Sequence, residues 1–125
     1  MPPLFLVMIG GAIGAGFRYG VGGIVLRQLG PGFPYGTWII NLVGGFLMGA
    51  LAGFLARSDI GNEPLRLFIG VGILGGFTTF SSFSLETFNM ISRGQYGSAT
   101  FYAVSSVVGS VLMLMFGLFL SRIFA

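Results

Sequence analysis

The chain has 125 residues, of which 54% are hydrophobic and only 7% charged, where a soluble domain carries about 25% charged residues. So little polar surface excludes an ordinary soluble enzyme, a disordered segment and a nucleic-acid binder, and points to an integral membrane protein. Six arginines against three acids give a net charge of +3, but they stand singly and form no patch for a polyanion. With no His and no Cys, soft metal sites, thiol catalysis and disulfides are excluded.

Four apolar stretches follow one another, and a hydrocarbon core about 30 Å thick needs roughly 20 helical residues for each crossing. The first runs from about Leu4 to Gln28 and contains Arg18. No basic side chain precedes Leu4 and no small-residue cleavage site follows, so this helix is expected to be retained. Gly30-Pro31-Gly32 and Pro34 stop it. The second stretch covers Gly36 to Ala56, the third Leu67 to about Ile91, and the fourth Tyr96 to Ser121. Gly61 to Pro64 and Arg93-Gly94 mark the other connections. Strand alternation is absent. The expectation is an all-α membrane protein, a single domain over residues 1–125 with four transmembrane helices.

The connections leave Arg57, Arg66 and Arg122 on one side and Arg27 and Arg93 on the other. So small an arginine bias favours neither insertion under the positive-inside rule. Two readings stay open: an ordinary protein with a weak signal, or both orientations made and paired. Four packed helices enclose no central pore, so function calls for a dimer. An antiparallel pair places its two-fold axis in the membrane plane.

The third segment, Gly72 to Ser84, carries the most information. Adjacent glycines followed by two threonines make a poor continuous helix, and Gly75 to Thr78 lies roughly 12–17 Å into the membrane, near the midplane. A helix opened there frees backbone carbonyls suited to a hard cation such as Na⁺. The alternative is an intact helix whose glycines mark a crossing point. Between Thr78 and Thr87, six of ten residues carry hydroxyls. Phe80 and Phe83 share a face, and electropositive ring edges can receive an anion, although phenylalanine in a span also serves as plain packing.

Other spans supply partners. Thr37 and Asn41 lie four apart, and the Asn41 amide offers two donors or interhelical glue. Tyr102, Ser106 and Ser110 recur every four residues as a polar stripe. Counted from one side, Asn41, Phe80 and Tyr102 all lie roughly 8–10 Å deep. Gly45, Gly49 and Gly53 repeat at the same spacing, a close-packing pattern. Arg18 and Glu86 fall toward one side, either as snorkelling boundary charges or as an electropositive vestibule with Glu86 gating or pairing.

Together these motifs resemble the CrcB/Fluc family of small fluoride channels. The likeness runs from Gly10-Gly11, Gly14-Ala15 and Arg18-Tyr19 through Gly36-Thr37, Asn41, Gly44, Phe46 and Gly49. It is most specific in Gly75-Gly76-Phe77-Thr78-Thr79-Phe80-Ser81-Ser82-Phe83 with Glu86, and the Tyr102, Ser106, Ser110 stripe agrees. The resemblance implies a dual-topology antiparallel homodimer in the bacterial inner membrane, with two fluoride pores and a broken third helix. It further implies a structural Na⁺ at the dimer centre on the backbone carbonyls of Gly75 and Thr78. Phe80 and Phe83 would be the ring edges, Asn41 a donor to fluoride, and Ser81, Ser82 and Ser110 a polar track. Thr37, Glu86 and Tyr102 would lie along the route, with Arg18 near the entrance. The implied role is passive export that confers fluoride resistance, with no enzymatic activity and no nucleic-acid partner. Two competing classes are a small multidrug exporter and a non-transporting scaffold. The first needs a membrane-embedded carboxylate, and the first helix offers only Arg18. The second leaves the hydroxyl run unexplained.

Overall fold

The computed structural model describes residues 2–57 and 63–124, so Asp59 and Gly61 lie outside the described residues. All its regular elements are helical, with no strand among the described residues. Helix α1 spans Pro3–Leu29 and starts on proline, whose missing N–H is no loss in a first turn. It ends at Gly30, where φ is +80° and the N–H donates to the Leu26 carbonyl. Helix α2 covers Tyr35–Arg57. The third span comprises α3 (Glu63–Leu65), a π-helical stretch (Arg66–Leu74), α4 (Gly75–Phe77) and α5 (Phe80–Ser92). Helix α6 runs Tyr96–Ile123 after a turn at Gly94, where φ is +77°.

Among the described residues, four helical stretches are long and apolar enough to cross a membrane: Pro3–Leu29, Tyr35–Ala56, Glu63–Ser92 and Tyr96–Ile123. Large apolar side chains such as Leu4, Phe17, Phe54, Val107 and Phe119 are exposed along them. Water would make such a surface unstable, whereas lipid tails are as apolar as the side chains themselves and solvate it.

Association in lipid rests on close packing rather than on water exclusion, and the backbone shows how it is reached. Helices α2 and α6 approach until backbone meets backbone. A Cβ at Gly45 would lie 2.6 Å from the Ser110 carbonyl oxygen, and one at Gly49 would run into that of Leu114. Helix α1 packs in the same manner on the third span, where Gly10 and Gly14 face the carbonyls of Phe68 and Ile73. The glycine repeat expected to mark close packing therefore does so. A smaller cluster of Met90, Ala99 and Tyr102, flanked by Phe33, Trp38 and Phe83, ties α5 and α6 to the first connection.

Candidate functional site

Thr78 (φ −81°, ψ 158°) and Thr79 (φ −149°, ψ 122°) are extended, between helical Phe77 and helical Phe80. The paired glycines expected to open the backbone are themselves helical. Gly76 serves contact instead: a Cβ on it would lie 2.5 Å from the Gly11 carbonyl oxygen of α1. The departure from helix falls instead on the two β-branched residues that follow, which favour extended angles.

Asn41 of α2 clasps that extended backbone. Its Nδ2 donates to the Thr79 carbonyl at 3.0 Å, while its Oδ1 accepts the Thr79 N–H at 2.9 Å. One of the two donors of its amide is thereby committed to protein as interhelical glue, and the other hydrogen is left over. In an uninterrupted helix the Thr79 N–H would serve the Gly75 carbonyl. Giving it to Asn41 releases that oxygen. The next carbonyl, Gly76, accepts from Arg18 Nε at 3.1 Å, so the guanidinium sits at the C-terminal end of a helical segment, where cations are favoured.

Sequence reasoning passed over Thr79, although it is the hub of the site. Its Oγ1 accepts the Ser82 N–H at 3.2 Å, capping α5, and lies 3.3 Å from Ser81 Oγ. A threonine three residues before Ser82 at a helix start is the capping signal that could have found it. Thr78 turns its hydroxyl back to the Leu74 carbonyl at 3.0 Å. Trp38 was also missed. Its Nε1 donates to Ser105 Oγ at 2.9 Å.

Two clefts meet at Thr79. One, of about 440 Å³, is lined by Asn41, Thr78, Phe80, Phe83, Ser106 and Ser110 besides Thr79. Phe80 is 76% exposed, and its ring centroid lies 5.6 Å from that of Phe83, tilted by 42°. Ser106 is 6% exposed, and its hydroxyl has no hydrogen-bond partner among the described residues. Ser110 Oγ reaches the Asn41 carbonyl at 3.4 Å. The other cleft, of about 960 Å³, is lined by Arg18, Thr37, Ser82 and Glu86 with the Gly30–Pro34 connection, and Arg27 and Arg93 stand on its walls. Tyr102 is fully buried. Its hydroxyl donates to Glu86 Oε1 at 3.0 Å, and Thr37 is a further hydrogen-bonding neighbour. The expected side chains thus divide between two clefts that share Thr79, apart from Tyr102, which is buried behind Glu86, and Ser81, which is exposed.

Among the described residues, no group of three or more His, Asp or Glu side chains could hold a metal. The released Gly75 carbonyl is an oxygen of the kind a hard cation takes.

A family model described as "CrcB-like protein, Camphor Resistance (CrcB)" matches residues 5–118. The chain is 54% identical over 122 residues to a protein of Sphingopyxis alaskensis named fluoride-specific ion channel FluC, covering 98% of this chain and 97% of that one. Proteins of the same name from Caulobacter vibrioides and Phenylobacterium zucineum are 52% and 55% identical, each over 123 residues with the same coverage.

Proposed function

This chain belongs to the CrcB family of fluoride-specific ion channels, which are passive channels of multi-pass bacterial membrane proteins and not enzymes, and on that premise we propose that it exports cytoplasmic fluoride through the bend at Thr78–Thr79. The route leads from the arginine-walled cleft past Thr79 to the Phe80–Phe83 cleft. The observation that carries it is the Ser106 hydroxyl, buried without a protein partner in the cleft that Phe80 and Phe83 line. A buried unpaired hydroxyl is costly unless something accepts its proton. A small anion is such an acceptor.

Fluoride holds its water strongly, so a conducting site must replace that water yet release the ion. The Ser106 hydroxyl, the uncommitted hydrogen of Asn41 Nδ2 and the ring edges of Phe80 and Phe83 supply donors without a full positive charge, and the Ser110 hydroxyl joins them by turning away from the Asn41 carbonyl it now meets. A lysine filter would grip the ion and admit larger anions. Thr37 and Ser82 line the wide cleft, with Arg18, Arg27 and Arg93 raising the local anion concentration. Fluoride that has entered as HF is trapped as the anion at neutral pH, and a passive pore suffices to return it outward.

The working unit is an antiparallel homodimer with two such pores, made from one chain inserted both ways. Phe80 and Gly75 are exposed on a single copy, which supports a second copy completing the cleft. Na⁺ at the centre of that dimer would be held by the carbonyls of Gly75 and Thr78 and would pin the two bends together. Purified protein in liposomes, followed with a fluoride electrode, tests the reading: fluoride leaves passively and chloride is largely retained. Equal chloride flux overturns the selectivity, and absence of fluoride flux overturns the function.

A further inference from the structure

The first connection does more than join α1 to α2. Phe33, at its centre, turns inward and meets four aromatic rings. Its centroid lies 4.9 Å from Tyr35, 6.0 Å from Trp38 and 6.0 Å from Phe101. Against Tyr102 it stands edge-on, at 5.4 Å and 86°, the geometry in which the positive edge of one ring meets the negative face of another. The other neighbour of the Tyr102 ring is Phe83, at 5.1 Å, which in turn meets Phe80. A continuous row of rings therefore runs from the connection to the aromatic pair of the narrow cleft. Its central member holds Glu86 in the wide cleft by a hydrogen bond.

We infer that Phe33 is a positioning residue for conduction: it wedges the Tyr102 ring, and through it sets both the Glu86 carboxylate and the Phe83 edge. The inference rests on the conduction reading above. Tyr102 is fully buried, in one cluster with Met90 and Ala99. Remove the edge contact and the ring can rock toward the vacated space. The phenol then drifts from Glu86 at one end and the ring from Phe83 at the other. Pro31 and Pro34 fix φ on either side of Phe33, and the Tyr35 N–H is bonded to the Phe33 carbonyl at 2.7 Å, so the wedge has little freedom of its own.

The experiment compares fluoride efflux from liposomes containing the wild-type protein, Phe33→Leu, Phe33→Tyr and Phe101→Leu, with Tyr102→Phe and the Phe33→Leu/Tyr102→Phe pair completing a cycle. Phe33→Leu keeps apolar bulk but loses the ring edge, and its efflux falls about tenfold at most, the worth of one or two aromatic contacts. Phe33→Tyr stays near wild type. Phe101→Leu, which alters a ring touching Phe33 but not Tyr102, leaves efflux unchanged. In the double variant the two losses fall short of multiplying. The part of the Phe33 effect that reaches Glu86 runs through the phenol that Tyr102→Phe removes, whereas the part that reaches Phe83 runs through the ring and persists. The single tryptophan, Trp38, reports on the same cluster, and its emission shifts in Phe33→Leu even where no ion flows. Losses that multiply in full, or an equal fall in Phe101→Leu, overturn the positioning role and leave a merely structural one. Unchanged efflux in Phe33→Leu also overturns it. A wild-type protein that passes no fluoride would overturn the conduction reading instead, so the two failures are distinct.

Discussion

Asn41 and Thr79, on different spans, bind each other through both faces of one amide: Nδ2 to the Thr79 carbonyl at 3.0 Å and the Thr79 N–H to Oδ1 at 2.9 Å. This pair satisfies a donor and an acceptor that a regular helix would have paired internally, and in lipid no water is available to do so. Asn41→Ala leaves both unpaired, at a cost of about 1–3 kcal/mol for each buried group. The thermal midpoint in detergent falls and fluoride efflux is lost. Asn41→Asp keeps the acceptor but sets a carboxylate against the Thr79 carbonyl, and it also fails in efflux. An unchanged midpoint in the alanine variant would show the clasp to be dispensable.

Phe80 and Phe83 separate the roles of ring edge and ring bulk. Replacing either by Ile preserves much of the apolar volume and removes the edge, so fluoride efflux drops by about tenfold, the scale of a ring contact of ~1.4 kcal/mol. Chromatographic size stays that of the wild-type assembly. Full efflux from both variants would take the rings off the route.

Membrane orientation can be read chemically, because the chain has no cysteine. A single Phe124→Cys, at the exposed C-terminal end of α6, is labelled by an impermeant maleimide from both faces of the membrane, about half from each, when one chain inserts both ways. Labelling from a single face would rule out the inverted pair.

Sodium has a readout independent of transport. If the carbonyls of Gly75 and Thr78 hold it, replacing Na⁺ with N-methylglucamine lowers the unfolding midpoint, and a concentration of 100 times Kd restores about 2.7 kcal/mol. Equal midpoints in both media would remove the cation from the design.

Glycines at the α2–α6 contact do not tolerate a methyl group. Gly49→Ala drives a Cβ into the Leu114 carbonyl, so the helices must part, at about 1–3 kcal/mol, seen as a lower yield of monodisperse protein. Gly97→Ala, which meets nothing within 4 Å, is neutral or gains about 0.5–1 kcal/mol from better helix propensity.

Span number and boundaries were legible from apolar runs and their Gly and Pro stops, because length and polarity alone decide what crosses a bilayer. The glycine repeat at Gly45, Gly49 and Gly53 was legible for the same local reason. The opening was read over Gly75 to Thr78, of which Thr78 is extended, together with Thr79 just beyond it. Gly75 and Gly76 are weak helix formers, but here both are helical and Gly76 lies against Gly11 of α1, a tertiary contact that propensity does not contain. The Asn41–Thr79 clasp joins residues 38 positions apart, and no periodicity within either span announces it. Phe33 carried no signal at all, since an aromatic residue in a Gly-Pro connection has no periodic neighbour to mark its inward turn.

Helix α2, fixed against α6 by glycines, carries Asn41 at one angular position on its circumference. Where the third span straightens is thus dictated by its neighbour's azimuth as much as by its own residues. Adding one residue to α2 just before Asn41 would swing that amide by about 100°, leaving Thr79 unlatched although every side chain of the bend was untouched. Indels in an otherwise plain stretch of α2 should therefore be purged as strictly as changes in the ring pair itself.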